Sequence, residues 1–98
     1  MTINKKQNGT ELTIALSGHL DTTTAPELEN ELKASMLDAM SLTFDLAELE
    51  YISSAGLRVM LSAHKTMSRK GGMKIINAGE VVREVFEVTG FTDFLNIE

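Results

Sequence analysis

The segment from Leu42 to Ile76 constrains the fold more than any other part of the chain. Leu42, Phe44 and Leu46 alternate with Thr43 and Asp45, the period of a strand with one face buried. A second apolar stretch, Tyr51-Ile52, runs into Ser53-Ser54, and from Ala55 to Arg69 the residues Leu57, Val59, Met60, Leu61, Ala63 and Met67 cover a wide helical face. Gly71-Gly72 stops that helix, and Met73, Ile75 and Ile76 read as another short strand. A strand, a helix and a strand in succession bury their apolar sides only when the helix lies on the sheet that the strands form.

The flanking regions extend the pattern. Leu12, Ile14 and Leu16 alternate with polar residues after an Asn8-Gly9 turn, so Glu11 to Gly18 forms a strand and Thr2 to Gln7 the edge arm of a hairpin. Thr24-Ala25-Pro26-Glu27 has capping-box spacing, with Pro26 in a first turn where no hydrogen bond is lost. Leu28, Leu32 and Met36 then carry a helix to about Met40. Val81, Val82, Val85, Phe86 and Val88 form a third helix stopped by Gly90, and Phe94 to Ile97 a final strand. Residues 1–98 are thus expected to make a single α/β domain, a sheet of four to five strands with three or more helices packed on it.

At 98 residues such a domain buries about 60 to 65% of its unfolded surface, which leaves little room for a deep catalytic cavity. The formal charge of −5, with Lys5, Lys33, Arg58, Lys65 and Arg83 scattered along the chain, argues against direct nucleic-acid binding. The absence of cysteine excludes disulfides and thiolate chemistry and fits a reducing cytoplasm. No apolar run approaches the ~20 residues of a membrane span, and Met1 leads into polar residues instead of a signal core. A soluble, cytoplasmic protein is expected.

The usual catalytic constellations are missing. Ser53-Ser54-Ala55-Gly56 lacks the elbow of a serine hydrolase, and His19 and His64 sit on separate elements with no metal-ligand spacing. Lys70-Gly71-Gly72-Met73-Lys74 follows a helix where a phosphate loop follows a strand, so its glycines read as a helix stop. Asp21 and Asp45 each close a strand-like segment, at what could be the edge that holds Ser54. Asp21 is equally suited to a turn, and Asp45 to a structural role.

Two serines at a helix start admit two readings. Serine is a favoured N-cap, and the same place suits a phosphate, because unpaired N–H groups and the positive end of the helix dipole meet there. The run Tyr51-Ile52-Ser53-Ser54-Ala55-Gly56-Leu57, preceded by Leu42-Thr43-Phe44-Asp45-Leu46, resembles the signature of the STAS family, the sulfate-transporter and anti-sigma-antagonist domains. Gly18-His19-Leu20-Asp21-Thr22-Thr23-Thr24-Ala25 is similar to the Gly-x-Leu-Asp loop of that family, and Gly90-Phe91-Thr92-Asp93-Phe94-Leu95 to the close of its single-domain anti-sigma factor antagonists.

The resemblance implies a non-enzymatic switch without cofactor or metal. Unphosphorylated, it would bind an anti-sigma factor that is also a serine kinase. Phosphorylated by that kinase it would let go, and a serine phosphatase would reset it. The Asp-Ser-Ser-Gly-Leu of the family falls on Ser53 to Leu57, which makes Ser54 the acceptor and Ser53 its competitor, with Ser53 and Ala55 as departures from the pattern. The partner surface would comprise Asp21, Thr22, Ser53, Ser54, Gly56, Leu57 and Arg58. Arg58, one turn beyond Ser54, would meet phosphate or partner, and Gly56 would admit a partner backbone or simply let the helix pack closely. The alternative that the resemblance implies is a constitutive STAS accessory subunit of a transporter or other signalling complex, on which the same face packs permanently.

Overall fold

The computed structural model describes residues 1–98. Five strands form one mixed sheet in the order β1-β2-β3-β4-β5: β1 (Thr2–Asn8), β2 (Glu11–Leu20), β3 (Ser41–Ile52), β4 (Met73–Ile76) and β5 (Asn96–Ile97). β1 pairs antiparallel with β2 through a two-residue turn at Gly9-Thr10, one residue later than the sequence indicates because Asn8 still pairs with Glu11, and every other neighbouring pair is parallel. Helices α1 (Ala25–Ser35), α2 (Ser54–Met67) and α3 (Glu80–Val88) make the parallel crossovers, with short 3₁₀ turns at Met36–Asp38 and Phe91–Asp93. The mixed α/β sheet is the one expected from the sequence.

The alternation within the strands decides which face is covered. Leu12, Ile14 and Leu16 of β2, Leu42, Phe44 and Leu46 of β3, and Ile75 of β4 are almost wholly buried, together with Leu28, Leu32, Met60, Met67, Val82 and Phe86 from the helices. The in-between residues Thr13, Ser17, Thr43 and Asp45 are half-buried, and Lys74 is exposed, on the open side. No helix is long and apolar enough to cross a membrane.

β3 does not end at Leu46. Its register against β2 slips between Ala15 and Ser17 and again between Gly18 and His19, so Ala15 faces Asp45 while His19 faces Tyr51. These bulges explain why the buried residues of β3, after Leu42, Phe44 and Leu46, recur at Leu49 and Ile52, a spacing of three that breaks strand periodicity. Both strands therefore run further than the alternation indicates, β2 to Leu20 and β3 to Ile52. Asp45 is consequently not at the edge that holds Ser54. It accepts from the side-chain amide of Asn77 at 3.1 Å and from the Ala47 N–H at 3.1 Å, tying β3 to the loop after β4.

The end of α1 also differs from expectation. The helix stops at Ser35 and tightens into the 3₁₀ turn, because Lys70 reaches across and donates to the carbonyls of Met36 (2.7 Å) and Ala39 (3.0 Å). The cation adds a second partner to Met36 O, which already accepts the Ala39 N–H at 3.2 Å, and satisfies Ala39 O at the end of the turn. Next to it the Gly71 N–H donates to Met40 O at 2.6 Å, an approach that a side chain at Gly71 would obstruct. Lys70-Gly71-Gly72 is thus a helix stop with a second function, a clasp on the neighbouring connection.

Candidate functional site

Because β2 and β3 are parallel and Leu20 stands opposite Ile52, the loops that follow them emerge side by side. The Ser53 N–H donates to Leu20 O at 2.9 Å, so the residue before Asp21 is hydrogen-bonded to the residue before Ser54. The site is therefore a junction of two loops and the two helices that they open.

The first loop closes on itself. The carboxylate of Asp21 accepts from the Thr23 hydroxyl (2.7 Å), the Thr23 N–H (2.9 Å) and the Thr24 N–H (3.2 Å). The Thr23 hydroxyl is the largest influence on the Asp21 carboxyl and lowers it; desolvation, next in size, opposes it, and the Thr23 and Thr24 N–H bonds add to the lowering, so the carboxyl sits below the ordinary carboxylate value. Asp21 O in turn accepts from the Thr24 and Ala25 N–H groups. The capping box predicted at Thr24 and Glu27 does not form. The Thr24 hydroxyl turns backward, donating to His19 O at 2.9 Å and accepting from the Asp21 N–H at 2.8 Å. The Asp21 carboxylate takes the Thr24 N–H that Glu27 would have capped, and the Glu27 N–H donates to the Thr24 carbonyl at 3.0 Å instead of to the Thr24 hydroxyl. Thr22 is exposed, with its hydroxyl unpaired.

The second loop stays open. Ser53 has extended backbone and caps α2, its hydroxyl accepting from the Gly56 N–H at 3.5 Å and its carbonyl from the Leu57 N–H at 2.9 Å. Ser54 is the first residue of the helix, exposed, and its hydroxyl has no partner within the protein. The first turn of α2 contains no acidic residue, whereas α1 has Glu27 and α3 has Glu80. The positive end of its dipole is left uncompensated.

Gly56 and Leu57 are buried. A Cβ on Gly56 would lie 2.6 Å from Leu20 Cγ and 2.9 Å from Ile52 Cγ1, so this glycine seats α2 on the ends of β2 and β3 and offers no surface to a partner. Arg58 is exposed and lines a shallow cleft of about 380 Å³ between the starts of α1 and α2, with Thr22, Pro26, Glu29, Ala55 and Ser62. Just before the junction, where His19 stands opposite Tyr51, Tyr51 is 46% exposed, its ring 6.0 Å from that of His19, whose Nε2 is 3.4 Å from Glu50. The cleft and Tyr51 escaped the sequence reading. The one needs two helices remote in sequence, and the other lies in the apolar stretch Tyr51-Ile52, where a bulky ring in a run that alternates poorly is the signal. No group of His, Cys, Asp and Glu is arranged to hold a metal ion.

The STAS domain family matches residues 2–98. The chain belongs to the STAS family. Among its relatives is the anti-sigma-B factor antagonist of Bacillus subtilis, 28% identical over 96 residues that span 97% of this chain and 88% of the relative. An anti-sigma factor antagonist from Mycobacterium paratuberculosis superimposes with a TM-score of 0.89 over 98% of this STAS chain and 83% of that one, at 24% identity. The anti-sigma factor antagonist SpoIIAA matches in its unphosphorylated form (TM-score 0.85, 16% identity, 99% and 88% of the two chains). Its phosphorylated form matches with a TM-score of 0.77, at 15% identity over 99% and 91%. At these identities the solved structures show a shared fold.

Proposed function

We propose that this STAS domain is an anti-sigma factor antagonist whose hold on its partner is switched by phosphorylation of Ser54. The observation that carries the reading is the division of labour between the two serines. The Ser53 hydroxyl is engaged as the cap, while that of Ser54 is exposed and free at a helix start whose first turn contains no acidic residue.

Unphosphorylated, the surface made by Asp21, Thr22, Ser53, Ser54 and Arg58 binds an anti-sigma factor that is also a serine kinase. Gly56 and Leu57 hold that surface in place from beneath. In the kinase step Ser54 Oγ bonds to the γ-phosphorus of ATP, the bond to ADP breaks, and the hydroxyl proton passes to a base on the kinase. The new group brings about −1.5 to −2 charge to a close interface. A cost of about 1.4 kcal/mol there weakens affinity tenfold, and stabilisation of α2 by about 0.3 to 1 kcal/mol cannot oppose it, so the switch acts at the interface. A phosphatase then restores the hydroxyl. The chain has no catalytic role of its own and works in the cytoplasm.

The reading is tested with the cognate kinase and ATP. Phosphopeptide mapping is expected to find one phosphate, on Ser54, and none in Ser54→Ala. A phosphate on Ser53, or none on the wild type, would refute the assignment.

A further inference from the structure

The sequence alone makes the cations look scattered, and the fold corrects this. Residues 51–79 contain five of the nine Lys and Arg and none of the fourteen Asp and Glu. Of these five, Lys70 is occupied with the carbonyls of Met36 and Ala39, and Lys74 projects from the open face of the sheet. The remaining three, Arg58, Lys65 and Arg69, are exposed and take part in none of the ion pairs. At 3.6 residues per turn, Ser54, Arg58, Lys65 and Arg69 fall within an arc of about 60°, along about 22 Å of helix axis and its immediate continuation. Elsewhere two of the three exposed lysines face carboxylates, Lys5 with Glu31 at 3.1 Å and Lys33 with Glu29 at 3.3 Å, and Lys6 stands alone on the open face of the sheet. Lys65 and Arg69 complement the C-terminal dipole of α2, but Arg58 stands near its positive end, where a cation gains nothing from the helix.

We propose that this outward strip of α2 docks an acidic face of a protein partner. A short acidic surface fits it by charge and by length. A long polyanion does not, because the rest of the chain sets four Lys and Arg against fourteen Asp and Glu and repels nucleic acid or an anionic membrane laid across it. A second copy of this chain is also disfavoured. An acidic face meeting this strip is a heterologous contact, which closes only into a ring or runs on as a filament. The inference deepens the switch proposed above and in that respect rests on it. A phosphate on Ser54 lies one turn from Arg58, pairs with its guanidinium, and removes from the partner the first cation of the strip.

The test is Lys65→Glu/Arg69→Glu, which leaves Ser54 and Arg58 in place, set beside Lys6→Glu/Lys74→Glu as an equal charge change on the other face of the sheet. Affinity for the cognate kinase is measured at about 50 and about 300 mM salt, where screening differs by more than twofold in Debye length. The wild type is expected to weaken with salt. The α2 variant should bind at least about tenfold more weakly at low salt with a flattened salt dependence, and the control should stay within about twofold of wild type; the α2 variant should melt somewhat lower, because its new carboxylates oppose the C-terminal dipole, yet be fully folded at the temperature of the binding measurement. Equal loss in both variants, or in neither, overturns the strip. Failure of the wild type to bind would sink the switch itself, so a second readout is independent of the kinase. In an amide NMR titration a polyglutamate peptide should perturb α2 from Arg58 to Arg69 in the wild type and not in the variant. No perturbation, an equal response to a short DNA duplex or phosphatidylserine vesicles, or self-association that the variant abolishes would each overturn the assignment.

Discussion

The starts of α1 and α2 are made of the same materials, a parallel strand, a short loop and a run of hydroxyl residues, and they finish in opposite states. At α1 the Asp21 carboxylate and the Thr24 hydroxyl consume one another and the nearby N–H groups, so the turn is satisfied from within. At α2 a single long bond to the Ser53 hydroxyl does the capping, no carboxylate stands in the first turn, and the next hydroxyl is left to solvent. A saturated helix start is a structural device. An unsaturated one, mounted on a rigid strand end, is free to receive a charge from outside.

The largest effect that the comparison predicts belongs to the seat of the open start. Gly56→Val forces a branched side chain into Leu20 and Ile52, and no flexible tip is there to give way. The expected cost is about 2 to 3 kcal/mol in urea unfolding, with partner affinity falling because α2 is displaced. A variant as stable as wild type would mean that α2 is not seated this closely.

Ser54→Asp comes next, and its two readouts should separate. A carboxylate at the first position of α2 complements the dipole, so stability stays level or rises by about 0.3 to 1 kcal/mol. Binding to the kinase should meanwhile fall at least about tenfold, or about 1.4 kcal/mol. Calorimetry showing wild-type affinity for Ser54→Asp would remove the charge switch. Ser53→Ala should act in the opposite sense, losing about 0.5 to 1 kcal/mol of stability because the cap bond is long, while Ser54 still accepts phosphate.

Much of this architecture was legible in the sequence, and the illegible parts have physical causes. The three helices and the central strands follow from apolar periodicity that only one packing satisfies. What escaped was set by partners distant along the chain. The spacing of Leu49 and Ile52 makes sense only once β2 is alongside to define the bulges, and the shortening of α1 only once Lys70 is known to reach Met36 and Ala39. At the site, a capping box at Thr24 and Glu27 and the turn built on Asp21 compete for the Thr24 N–H and the Thr24 hydroxyl. Spacing alone cannot rank them, whereas the ability of an ionised carboxylate to accept several bonds at once can. The exposure of Ser54 and the burial of Gly56 likewise depend on where Leu20 lies.

The smallest predicted effect concerns the closed start and follows from the depressed Asp21 carboxyl. A carboxylate whose folded pKa lies below its unfolded value stabilises the fold above the unfolded value, here near 3.8, and the contribution is lost as pH falls through the folded value. The loop should therefore be insensitive to pH from neutrality to about 4 and loosen only below that. NMR titration of the Thr23 and Thr24 amides is expected to show the transition at low pH in the wild type and none in Asp21→Asn, which keeps one acceptor oxygen but no titrating group. Asp21→Ala, with no acceptor left, should lower the melting temperature modestly at neutral pH, and the difference from wild type should shrink as the wild-type carboxylate is protonated. The same two variants divide structure from binding. If Asp21 serves the turn alone, kinase affinity is unchanged in Asp21→Asn. If it also faces the partner across the Leu20–Ser53 bond, affinity falls in Asp21→Asn while the melting temperature barely moves. A midpoint at or above 3.8 for Thr23 and Thr24 would show that the carboxylate is not held by these hydroxyl and amide donors, and the contrast between the two helix starts would fail with it.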